Sequence, residues 1–128
     1  MLYLDSSALV KLVVTEAETS ALRRYLRRRP DRVTSELSVA EVLRAALRRD
    51  AELIDAARRI LDRVDRMALG SQLVERAGTL IPPGMRTLDA LHIASALELG
   101  EELEAVVAYD RRLLDAAADH RLPTASPA

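Results

Sequence analysis

Ala105-Val106-Val107-Ala108-Tyr109-Asp110 is the stretch that decides the fold. It is short, apolar and β-branched at its centre, and an acid closes it. A run of that length and composition reads as a strand buried on both faces, which is the habit of a parallel sheet. Working outward, residues 111–119 read as a helix, and Leu122-Pro123-Thr124 as a last edge strand. On the other side, residues 87–99 read as a helix ended by Gly100, because glycine accepts the left-handed backbone that follows a helix end.

The same alternation runs back to the N-terminus. Residues 2–5 read as a short strand, followed by a helix over 7–14 opened by Ser6 or Ser7. Residues 17–29 place Ala21, Leu22, Tyr25 and Leu26 at helical spacing among arginines, and Pro30-Asp31 breaks the pattern. Residues 32–34 suggest a strand, 36–49 and 51–64 two helices, 67–69 a small edge strand, and 71–80 a further helix. Pro82-Pro83-Gly84 is a turn. Short apolar strands alternating with helices predict an α/β fold, a three-layer α/β/α sandwich with a mainly parallel central sheet. At 128 residues the expectation is a single domain over 1–128, with 125–128 as a loose tail.

Composition narrows the chemistry. There is no cysteine, which excludes disulfides, thiolate metal sites and a cysteine nucleophile. With two histidines, few zinc ligands exist. No glycine-rich phosphate loop, G-x-S-x-G or paired-histidine motif is present. No run approaches a membrane span, and the N-terminus enters a strand without a basic leader, so the expectation is a cytoplasmic protein with no membrane partner. The net charge is −1, against a polycation that grips nucleic acid without discrimination. Arg23, Arg24, Arg27, Arg28 and Arg29 form a basic cluster that reads as a solvated helix face.

Four acids stand where apolar residues are expected. Asp5 and Asp110 each close an apolar run, and Glu41 and Asp89 interrupt apolar helical patterns. In open parallel sheets, sites lie beyond the carboxyl ends of the strands. Asp5 and Asp110 therefore share an edge if their strands are neighbours. Buried acids are costly unless paired with donors, cations or metal. Four converging carboxylates would make an oxygen-rich site suited to Mg²⁺ or Mn²⁺. Each acid also has a local explanation. Asp5 and Asp110 could cap helices, Asp89 could complement a helix dipole, and Ser38-Val39-Ala40-Glu41 fits a capping box. His92, one turn after Asp89, is either a ligand or a half-buried histidine bonded to a neighbour. Ser6 and Ser7 could hold a metal-bound water or the Asp5 carboxylate, or cap a helix, and Asp115 could reach the pocket rim or stay in solvent.

Four segments together resemble a known family. Tyr3-Leu4-Asp5-Ser6-Ser7-Ala8-Leu9-Val10-Lys11, Thr34-Ser35-Glu36-Leu37-Ser38-Val39-Ala40-Glu41-Val42, Leu88-Asp89-Ala90-Leu91-His92-Ile93-Ala94-Ser95-Ala96 and Val107-Ala108-Tyr109-Asp110-Arg111-Arg112-Leu113 resemble, in order, the acidic motifs of PIN-domain proteins. The compact length looks most like the VapC toxins of toxin–antitoxin pairs. That resemblance implies a Mg²⁺- or Mn²⁺-dependent endoribonuclease, with Asp5, Glu41, Asp89 and Asp110 as the catalytic and metal-binding set. It further implies an RNA substrate, a VapB-type antitoxin partner and a homodimer. Ser7 and Asp115 are supporting candidates, and Arg111 and Arg112 are the first candidates for RNA phosphate contact, with Lys11, Arg44 and Arg86 behind them. The expected reaction is in-line attack of water on a phosphodiester, leaving a 5′-phosphate and a 3′-hydroxyl.

Other readings remain open at this level. One is an antitoxin-independent PIN nuclease of RNA processing. Another is a PIN-like binding module without catalysis. A phospho-acceptor receiver wants paired acids after the first strand and a late lysine, but Ser6 and Ser7 follow Asp5 and the sole lysine is Lys11. A haloacid-dehalogenase-like phosphatase wants a second Asp at position 7, which is Ser.

Overall fold

The computed structural model describes all residues, 1–128. Its centre is a five-stranded sheet in which every pairing is parallel. The strands are β1 (Leu2–Leu4), β2 (Arg32–Ser35), β3 (Asp65–Met67), β4 (Ala105–Val107) and β5 (Thr124–Ala125), in the order β3-β2-β1-β4-β5. The helices are α1 (Ser6–Val13), α2 (Thr19–Leu26), α3 (Glu36–Arg49), α4 (Ile54–Leu61), α5 (Ser71–Gly78), α6 (Thr87–Glu98) and α7 (Arg111–Asp119).

Successive side chains of a strand point to opposite faces, and that alternation builds the layers. Leu2 and Leu4 of β1, with Ala105 and Val107 of β4, pack against α1 to α4. Tyr3 and Val106, the residues between them, pack with Val33 against α6 and α7. The central strands are buried on both faces, so their apolar runs are continuous. Helix α6 is wrapped almost all round. Ile93 and Ala96 meet the sheet layer, while Ala90 and Ala94 meet Leu73 and Ala77 of α5. The result is the expected three-layer α/β/α sandwich.

Details of the sequence reading are corrected. The helix expected over 51–64 opens as a 3₁₀ turn, Ala51–Leu53, where the Asp50 carboxylate accepts from the Glu52 N–H. The edge strand expected at 67–69 is Asp65–Met67, whose first two residues are exposed and charged and carry no apolar signal. The strand at 105–109 stops at Val107, and Leu122 and Pro123 precede β5 rather than belong to it. Residues 125–128 do not hang loose. Ala125 pairs with Val107 in the sheet, Ser126 Oγ donates to the Ala108 carbonyl at 2.6 Å, and Tyr109 Oη donates to the Pro127 carbonyl at 2.6 Å. Gly100 does take a left-handed conformation, φ +54°, just past α6.

Candidate functional site

Because β1 and β4 are parallel neighbours, the residues that follow them emerge on the same edge of the sheet. Asp5 follows β1 directly and is 2% exposed. Its carboxylate caps α1: Oδ1 accepts the Ala8 N–H at 2.9 Å. The N-cap is therefore Asp5, not Ser6 or Ser7. Ser7 has a different task. Its hydroxyl donates to both Asp5 oxygens, at 2.6 and 2.8 Å, and accepts the Tyr109 N–H at 2.8 Å. One serine thus ties the segment after β1 to the segment after β4. Asp110 follows Tyr109, caps α7 by accepting the Arg112 N–H at 2.9 Å, and is exposed.

Glu41 lies on α3, whose cap is Ser35; Ser35 Oγ accepts the Leu37 N–H at 3.1 Å. The capping-box reading of Ser38 and Glu41 is thereby ruled out, since both sit inside the helix. Glu41 Oε1 instead meets His92 Nε2 at 2.7 Å, and His92 Nδ1 meets the Tyr3 hydroxyl at 2.7 Å. His92 is 3% exposed, deeper than the half-buried histidine of the sequence reading. Tyr3 was not singled out at all, because a contact across 89 residues of sequence leaves no local trace.

Two clefts are lined from this region. The larger, about 620 Å³, is lined by Ser6, Ser7, Lys11, Glu41, Arg44, Arg48 and Asp110 among others. Asp89 lies in the adjoining cleft of about 300 Å³, with Arg86, Arg112, Asp115 and Asp119. Leu88 and Asp89, consecutive on α6, face one cleft each. Asp115 is exposed and sits 3.6 Å from Arg111, so Arg111 is engaged at the surface. Lys11 is also committed: Nζ is 2.9 Å from Glu18 and stacks 4.8 Å from the Tyr109 ring centre. Arg48, which sequence reasoning passed over, lines the larger cleft beside Arg44 with no acidic partner within ion-pair reach.

Electrostatically Asp110 acts on both Asp5 and Asp89, and Glu41 acts on Asp89. Burial pushes the Asp5 carboxyl up to about 6, against the pull of Ser7, Ala8 and His92, and Asp110 adds to the rise. Asp89 is raised by burial, then by Asp110, with a smaller push from Glu41; His92 and Arg86 act against it. The donor chemistry suits a hard divalent cation: carboxylate oxygens, partly desolvated, mutually repelling. No three of these groups already stand as a ready ligand set. Asp5, Glu41 and Asp110 are each turned to a protein donor. No buried side-chain nitrogen or oxygen lacks a hydrogen-bond partner.

This sheet order, with acids from four segments at its carboxyl edge, defines a class. Residues 2–119 match the PIN domain, and the chain belongs to the PIN-domain family. It is 48% identical to ribonuclease VapC46 of Mycobacterium tuberculosis over 91% of this chain and 89% of that one. It is 38% identical to ribonuclease VapC47 of the same organism over 99% and 97%. Among solved structures, VapC20 of M. tuberculosis, a sarcin–ricin loop cleaving toxin, superposes with a TM-score of 0.76 at 21% identity, covering 91% of this chain and 95% of that one. A chain of a toxin–antitoxin complex from Klebsiella pneumoniae gives a TM-score of 0.76 at 16% identity, covering 100% and 98%. These two likenesses speak for the fold. Within the family, the sequence relatives place the chain with the VapC ribonucleases, nucleases with a toxin–antitoxin role.

Proposed function

We propose that this ribonuclease is a Mg²⁺- or Mn²⁺-dependent endoribonuclease whose ion is held by Asp5, Glu41, Asp89 and Asp110. The observation that carries the reading is that Asp5 and Asp110 leave the same edge of the sheet after the neighbouring strands β1 and β4, with Asp110 acting on the charge of both Asp5 and Asp89. A divalent ion bound there supplies positive charge to the phosphate oxygens and acidifies water at neutral pH. The protein's own contribution is to orient. Ser7 fixes the Asp5 carboxylate, the α7 N-terminus fixes Asp110, and α6 presents Asp89 from its first turn. Arg44 and Arg48 border the larger cleft and suit RNA phosphates; Arg112 and Arg86 do the same in the adjoining one. Lys11 is better read as a clamp on Glu18 and Tyr109. With three tyrosines in the chain, base stacking has little scope, so recognition rests on RNA shape and backbone.

The partners follow the same reading. A VapB-type antitoxin covers the acidic cleft. A second copy of the chain pairs through the exposed Val74 and Ile81, which line one groove. No helix is long and apolar enough to cross a membrane. The protein is proposed to work in the cytoplasm on structured cellular RNA.

The test is cleavage of total cellular RNA by purified, antitoxin-free protein with Mg²⁺ or Mn²⁺, with EDTA, and beside Asp5→Asn. Discrete fragments carrying 5′-phosphates, absent with EDTA and with the variant, are expected. Undiminished cleavage by Asp5→Asn would remove the carboxylate site from the proposal.

A further inference from the structure

One of the four acids, Glu41, ends a polar chain that runs into the core. The chain is Tyr3–His92–Glu41, drawn from β1, α6 and α3 and ending at the larger cleft. Tyr3 is fully buried and His92 nearly so, and their rings meet edge to face at 5.9 Å. Buried polar groups in such a place are costly unless every one is satisfied. Here Glu41 fixes one donor. A carboxylate can only accept, so His92 Nε2 carries the proton given to Glu41 Oε1. Nδ1 meets the Tyr3 hydroxyl, which donates to a bare nitrogen or accepts from a protonated one.

We propose that His92, held in place by Tyr3, is the positioning residue for Glu41. The inference rests on the reading of Glu41 as a metal ligand. Glu41 has a flexible side chain that is 26% exposed and would otherwise sample many rotamers. The Nε2–H bond holds it in one and occupies a single oxygen, Oε1; the structure gives Oε2 no hydrogen-bond partner, which leaves that atom for a cation. Partners that hydrogen-bond a ligating carboxylate set its orientation and basicity, and losing one typically weakens metal binding about 10–100-fold. His92 thereby acts through Glu41 without touching substrate.

The experiment is calorimetric titration of Mn²⁺ into wild type, His92→Leu, His92→Gln, Tyr3→Phe and Asp5→Asn, with ¹⁵N NMR of the imidazole in the wild type and Tyr3→Phe. Expected are an imidazole protonated at Nε2 in the wild type and a weaker Mn²⁺ affinity in Tyr3→Phe. Mn²⁺ affinity should fall roughly 10-fold or more in His92→Leu, with partial recovery in His92→Gln, which keeps an N–H donor. Should His92→Leu fail to fold, the Nε2 proton and the Tyr3→Phe affinity still decide. A wild-type ring protonated on Nδ1 alone overturns the proposal. So do folded His92 and Tyr3 variants that bind Mn²⁺ like the wild type while Asp5→Asn does not, and in that case the four-acid site stands. Absence of Mn²⁺ binding by the wild type removes the four-acid site, and the role of His92 with it.

Discussion

Asp5 does two jobs that pull in opposite directions. It caps α1, which favours folding, and it buries a charge, which does not. Its carboxyl pKa in the folded protein is about 6, above the ordinary value near 4. The folded state therefore binds the proton more tightly than the unfolded chain. Stability contributed by the protonated acid is lost as pH rises through that window. Asp5→Asn keeps an oxygen for Ser7 and Ala8 but carries no charge. The variant should match the wild type near pH 4 and exceed it at pH 7 by on the order of 2–3 kcal/mol, a gap read from thermal melts across pH. A gap that does not change with pH would refute this. Asp110 allows its capping and ionic roles to be separated. Asp110→Ala should cost about 1 kcal/mol through loss of the α7 cap, and Asp110→Asn much less, while both abolish cleavage. Equal melting losses in the two variants would show that the cap is not what Asp110 contributes to stability. These acids were visible in the sequence because each sat beside or within an apolar run. Their partners were not: Ser7 could only be said to cap or to hold Asp5, and its bond to the Tyr109 N–H spans 102 residues.

Among the elements, α1 is the one that aims Asp5. Its buried residues are Ala8 and Leu9, pressed on the Leu2 and Leu4 face of β1. Leu9→Ala should cost about 2–5 kcal/mol, measured by denaturant unfolding, because the site is fully buried and walled by other elements. A loss below 1 kcal/mol would mean that α1 collapses freely onto the gap. Helical spacing located α2, α3 and α4, since 8 or more residues give a stripe time to repeat, while α1 was read from the serines that open it and α6 from Gly100 at its end. Strands of two to four residues give no such repeat. β1 and β4 were legible because burial on both faces makes them wholly apolar. β3, with Asp65 and Arg66 exposed at the sheet margin, was displaced by two residues in the reading for want of any such run. The three-residue 3₁₀ turn before α4 kept the helical spacing of apolar residues and so merged with the helix.

For the molecule as a whole, charge is nearly balanced, with a formal net charge of −1. Affinity for RNA must then come from local placement, chiefly Arg44 and Arg48 at the larger cleft. Binding should weaken with salt, and replacing both arginines by alanine should lower the slope of log K against log salt by about two at most. An unchanged slope would move the phosphate contacts elsewhere. The strand order carries a last consequence. β1, made before the other strands, is the centre of the sheet, and one of its two neighbours, β4, is made about a hundred residues later. A nascent chain that stops short of residue 105 has β1 open along one edge and lacks Asp110. Non-local parallel pairing of this kind is slow to close. On the proposed four-acid site, a growing chain shorter than 110 residues lacks one of its carboxylates, so cutting waits until the polypeptide beyond β4 has been made.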